Sequence, residues 1–143
     1  MAEIDFRKAI RECLSRLDTA VEDALRRQLA GPIDLGHSGR LQFEVCPYFY
    51  GVHLVQTEEE IVPDSAVWDA VPPELRDAAE AADCDLYAAI QEELLTWFAD
   101  RWQAVGGPRL YSPAYIFFHG GLDEPRYDLE QRRWLSVEEV FGE

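Results

Sequence analysis

Lysine is almost missing from this chain. Lys8 stands alone beside twelve arginines, and from residue 32 to residue 100 only Arg40 and Arg76 oppose fifteen carboxylates. Nucleic-acid binding needs a basic stripe to grip phosphates, so that class is excluded from the expectations. Cysteine is scarce too: Cys13, Cys46 and Cys84 show no C-x-x-C spacing. Their odd number and wide separation argue against a disulfide framework or a structural zinc site, and fit a reducing compartment. No apolar run approaches the roughly 20 residues needed to span a bilayer. The first residues are charged from Glu3 and Asp5 onward and lack the apolar stretch of a signal peptide. The expected setting is the cytoplasm, without membrane contact.

The usual catalytic signatures are also absent. There is no H-E-x-x-H and no G-x-S-x-G. Gly31, Gly36 and Gly39 are spaced like a phosphate loop, but no lysine and no preceding strand accompany them. No metal or cofactor site is expected.

What the chain has is acid and apolar mass. Its 143 residues carry a net charge of −15 and 48% hydrophobic side chains, including four Trp. Disordered acidic tails lack aromatic residues, so this composition points to a folded core instead. One domain over residues 1–143 is expected. Residues 1–31 balance six acids against six bases, whereas residues 32–143 hold twenty-two acids and seven bases. Such a field favours solubility and draws in cationic surfaces.

Hydrophobic periodicity outlines the elements. Phe6, Ile10, Leu14, Leu17, Val21, Leu25 and Leu29 predict one amphipathic helix over residues 3–30, stopped by Gly31 and Pro32. Leu41, Phe43 and Val45 alternate with Gln42 and Glu44, and a second β run follows Pro47 over Tyr48–Val55. Residues 57–72, with Glu58, Glu59 and Glu60, read as an exposed connection. Pro72 and Pro73 open a helical region to residue 105. A single helix over 73–105 would be about 50 Å long, so a break near Asp83–Asp85 is expected, with an aspartate as cap. Ala114–Phe118 reads as a central strand, residues 126–135 as a hairpin, and Ser136 with Glu139 as a capping box opening a last short helix. Short links between consecutive strands predict an α+β fold, with a mostly antiparallel sheet and long amphipathic helices packed on one face.

Three groups of residues carry possible chemistry. His119 precedes Gly120 and Gly121 at a strand end near Asp123 and Glu124, where an imidazole can act as general base; the plainer reading is a turn. His53 lies in a β run with Tyr48, Phe49 and Tyr50, either a pocket wall or a sheet face. His37 sits in a Gly/Ser loop. Glu92, Glu93 and Asp100 share a helix but lack the Glu-x-x-His spacing of a bundle metal site.

The leading expectation is a small acidic protein that neutralises a basic protein partner, as immunity proteins do with secreted toxins, nucleases in particular. Its expected partner-binding residues are Glu58, Glu59, Glu60, Asp64 and Asp69, with Tyr48, Tyr50 and Trp68 as aromatic anchors. Glu92, Glu93 and Asp100 form a second acidic set. The alternatives are a small enzyme or ligand-binding domain with a pocket around His53 and His119, and an oligomeric scaffold built on the first helix.

Overall fold

A computed structural model describes residues 2–46, 50–119 and 124–142. Their elements run α1 (Ala2–Arg16), α2 (Asp18–Leu29), β1 (Leu41–Val45), β2 (Val52–Leu54), β3 (Glu60–Val62), α3 (Pro73–Ala81), α4 (Leu86–Ala104), α5 (Gly107–Leu110), β4 (Ala114–Phe118), β5 (Arg126–Asp128), β6 (Arg133–Leu135) and α6 (Val137–Phe141), with a 3₁₀ turn at Gly36–Ser38. The fold is α+β with one mixed six-stranded sheet in the order β3-β2-β1-β4-β5-β6.

Two antiparallel meanders, β1-β2-β3 and β4-β5-β6, meet at a parallel contact between β1 and β4. A parallel pair needs a long crossover. Here the β2–β3 hairpin and the helices α3 and α4 supply it, so short links between neighbours did not foretell the central pairing. Leu41, Phe43 and Val45 are buried against the helical layer. The Phe43 ring lies 5.0 Å from Phe98 and 5.6 Å from Trp102, both edge-on. Gln42 and Glu44 alternate onto the opposite face, as strand geometry requires. Short α6 packs there with Tyr115 and Leu135, and so departs from the expected single helical face.

Helix α4 buries residues on most of its circumference because it touches both the sheet and the first helices. The expected single helix over 3–30 is divided at Leu17, whose N–H bonds the Leu14 carbonyl at 2.9 Å in a 3₁₀ step. Tertiary contacts gather at this junction. At the start of α2, Asp18 accepts a 2.6 Å hydrogen bond from the Trp97 indole, and Arg101 pairs with both Asp18 and Glu22. A carboxylate there also suits the helix dipole. The break near residue 85 lies at the expected place, with Asp85 Oδ1 accepting the Ala88 N–H at 3.0 Å. The capping box at Ser136 and Glu139 is formed in both directions. The expected exposed connection over 57–72 is corrected by β3, which buries Ile61 and Val62.

The second acidic set is bound within the fold. Arg7 holds Glu92 and Glu93 at 3.1 Å each, Arg11 holds Glu93 at 2.8 Å, and Arg132 holds Asp100 at 2.6 Å. Desolvation alone would raise the Glu93 carboxyl; hydrogen bonds and charge from Arg11 and Arg7 outweigh it and hold Glu93 below its ordinary value of 4.5. A depressed carboxyl stabilises the fold above its unfolded value and loses that contribution as pH falls through the folded one. Glu93→Gln is therefore expected to cost about 1–2 kcal/mol at neutral pH. The gap from wild type should close as urea titrations move below pH 4.5. A gap independent of pH would show that the ion pairs are not its origin.

Candidate functional site

The face of the sheet away from the main helical layer carries Gln42 and Glu44 of β1, His53 of β2, and Tyr115 and Phe117 of β4. Register places His53 opposite Glu44 on one side and Phe117 opposite Glu44 on the other. His119, two residues beyond Phe117, returns to the same face. Glu44 consequently meets both histidines: Oε1 lies 3.0 Å from His53 Nε2, and Oε2 lies 2.7 Å from His119 Nδ1. An ionised carboxylate only accepts, so each neutral ring must place its proton toward Glu44. This fixes His53 as the Nε2–H tautomer and His119 as the Nδ1–H tautomer. His119 Nε2 is then left as an acceptor on a ring that is 62% exposed.

Cys46 Sγ stands 3.9 Å from His53 Nδ1, completing a Cys–His–Glu sequence of contacts. The thiol is not an activated nucleophile. Burial first, then the negative charges of Asp64, Glu44 and Glu60, push it above its ordinary value. Reactive cysteines need the opposite, an electropositive setting. Beside this group, Arg126 lies 3.8 Å from the Phe117 ring centre and 5.5 Å from that of Phe141, and its Nε donates to Gln42 Oε1 at 2.8 Å. Desolvation holds this guanidinium below its ordinary value. It ties α6 to the sheet.

At the β3 edge a recess of about 260 Å³ is lined by Cys46, Gly51, Val52, His53, Glu58, Glu60 and Asp64. Gly51 permits it: a Cβ there would lie 2.0 Å from Asp64 Oδ1. Glu58 occupies the β2–β3 turn with a φ of +61°, a left-handed conformation that is costly for a residue with a Cβ. Glu58, Glu59, Glu60, Asp64 and Asp69 are all exposed. None of the five enters an ion pair among the described residues. Three of them, Glu58, Glu60 and Asp64, share the recess; Glu59 and Asp69 do not line it.

The expected aromatic anchors divide. Tyr48 lies outside the described residues, as do Phe49, Gly120, Gly121, Asp123 and the side chain of His37. Tyr50 is corrected as a surface anchor: it is 2% exposed, because its ring backs Trp68 at a centroid distance of 6.4 Å. Trp68 is half-buried, with Tyr50 and Tyr87 stacked beside it. His53 and His119 are brought together by Glu44, although only His53 lines the acidic recess. Sequence reading did not single out Glu44, Cys46 or Tyr87. The alternation of β1 put Glu44 on the wet side, but only the strand register shows which imidazoles it meets.

No family model, curated protein or solved structure matches this chain. Among the described residues, no group of three or more His, Cys, Asp or Glu is placed to hold a metal ion, and no helix is long and apolar enough to cross a membrane.

At pH 8, long-range ¹H–¹⁵N correlation is expected to show His53 as Nε2–H and His119 as Nδ1–H. In Glu44→Gln a single amide oxygen remains to accept, so at least one ring should revert to the tautomer mixture of free histidine. Unchanged tautomers in both rings would remove Glu44 as the group that orients them.

Proposed function

We propose that this protein binds and neutralises a basic protein partner through the acidic edge at β3. The observation that supports the reading is the division of its carboxylates. Glu92, Glu93 and Asp100 are neutralised by arginines of the same chain, whereas Glu58, Glu59, Glu60, Asp64 and Asp69 have no such cation among the described residues. Like charges held at one edge repel each other and are screened only by solvent ions. A cationic partner surface relieves that repulsion and is steered toward it. The left-handed Glu58 strengthens the case, since a glycine would fit the turn with less strain. An immunity protein that masks the phosphate-binding groove of a nuclease toxin is the class this chemistry suits best.

A second reading rests on the Glu44 pair. A carboxylate that orients two imidazoles, one with its free nitrogen toward solvent, is equipped for proton transfer on a small ligand. The acidic edge is preferred because, among the described residues, His119 does not line the recess that His53 lines, and the neighbouring thiol is held protonated.

Capture from a lysate of the source cell on immobilised protein, with elution by a salt gradient, tests the leading reading. The expected result is one stoichiometric basic protein released at high salt. The triple variant Glu58→Lys, Glu59→Lys, Glu60→Lys should retain the wild-type unfolding midpoint and lose at least tenfold in association rate with that protein. Equal association by wild type and variant would contradict the assignment of this edge.

A further inference from the structure

Strand register sets one row of side chains across β1, β2 and β3. Glu44 pairs with His53, and His53 pairs with Glu60. The His53 imidazole therefore stands between two carboxylates, on one face and in adjacent strands, where opposite charges attract most directly. It is partly exposed, and it lines the acidic recess with Glu58, Glu60 and Asp64. The helical acids Glu92, Glu93 and Asp100 have arginines as fixed counter-ions. Among the described residues that line the recess, the one basic side chain is His53, and the charge of an imidazole depends on pH.

The hydrogen bonds say where a proton can be added. With Glu44 ionised, neutral His53 donates from Nε2 to Glu44 Oε1 at 3.0 Å, so Nδ1 is the nitrogen that can take a second proton. That nitrogen faces Cys46 Sγ at 3.9 Å. The added proton leaves the Glu44 bond in place and puts one positive charge at the recess wall. The groups that face His53 are Glu44 and Cys46 from β1 and its end, Glu60 from β3, and Glu58 and Asp64 from the turns flanking β3. Beyond Glu44 lie His119, 2.7 Å from its Oε2, and Arg126, on which the Glu44 charge acts. Carboxyl groups ordinarily titrate at about pH 4 and imidazoles at about pH 6.5. The Cys46 thiol, pushed above its ordinary value by burial and then by Asp64, stays neutral throughout that interval. Between about pH 7.5 and about pH 5.5 the charge of this face thus changes at its histidines.

We infer that His53 is a conditional counter-ion for the acidic edge: neutral, it leaves the recess open to a cation of the partner, and protonated, it competes with that cation and weakens binding. The inference rests on the acidic-edge reading for its partner and adds the regulation of that edge. Two cations compete for the same carboxylates, so the effects are reciprocal. Protonation lowers partner affinity by the factor with which the partner lowers proton affinity. Neutral pH favours capture, and acidification favours release.

The test is an NMR titration of the full ¹⁵N-labelled chain with acetylated, amidated tetra-lysine, whose charge is constant between about pH 5.5 and about pH 7.5, at fixed ionic strength. Saturable shifts of the Glu58–Glu60 amides are expected at both pH values, with affinity about fivefold weaker at the lower one. The His53 ring signals, assigned through His53→Gln, should titrate at lower pH in saturating tetra-lysine than without it, by the same factor. In His53→Gln, whose amide can still donate to Glu44, the ratio of affinities at the two pH values should fall below about twofold; in His119→Gln it should stay above about threefold. A wild-type amide spectrum away from β1 and β2 verifies that each variant folds, and the His53 titration in the unsubstituted chain decides the matter without a variant. Binding at Glu58–Glu60 that is equal at both pH values, or a pH dependence that His53→Gln leaves whole, would overturn the counter-ion role and leave the acidic edge standing. No shift at Glu58–Glu60 at either pH would contradict the edge and overturn the inference with it.

Discussion

The parallel contact of β1 with β4 sets the rest of the arrangement. It brings together two meanders that are distant in sequence and forces the intervening chain to cross one face as α3 and α4. That crossover supplies the layer against which Phe43 is buried, through Phe98 and Trp102. The same register sends Glu44 to the other face, between His53 of the neighbouring strand and His119 beyond the end of β4. A slip of one residue would exchange the two faces, placing Glu44 in the core and Phe43 in water. Core packing and the histidine contacts are thus two consequences of one alignment.

Electrostatics divides the molecule in a complementary way. The first two helices carry six of the thirteen basic residues, and they pair with α4: Arg7 and Arg11 hold Glu93, and Arg101 reaches back to Glu22. These contacts are intermediate in burial, where a charged hydrogen bond contributes more than a surface ion pair. Among the described residues, no comparable cation pairs with the acids of the β3 edge. The net charge of −15 is therefore not spread evenly in effect. Glu58, Glu60 and Asp64 are among the carboxylates that no ion pair compensates among the described residues. Acidic side chains on an edge strand also discourage unwanted strand pairing.

Much of the local structure was legible because it depends on neighbours in sequence. The alternation of Leu41, Phe43 and Val45 identified β1 and its buried face. Asp85 and the Ser136–Glu139 box marked helix starts through hydrogen bonds only three residues long. What escaped depends on distant partners. The apolar stripe runs unbroken through Leu17, and the helix divides there beside an Asp18 held by Trp97 and Arg101. Strand β3 is too short for alternation to announce it. Tyr50 looked like an exposed anchor because nothing local reveals that Trp68 covers it. The acids at 58–60 and at 92–100 look equivalent in sequence; the ion pairs distinguish them.

The central claim is that helical acids stabilise this fold by pairing, whereas edge acids are held at some cost and are free for a partner. Urea unfolding at low salt of two neutralised variants tests it directly. One carries Glu92→Gln, Glu93→Gln and Asp100→Asn; the other carries Glu58→Gln, Glu59→Gln and Glu60→Gln. The first is expected to lose about 2 kcal/mol of stability, and the second to match or exceed wild type by a few tenths of a kcal/mol. A loss of the same size in both would contradict the division and return the acidic edge to an ordinary structural role.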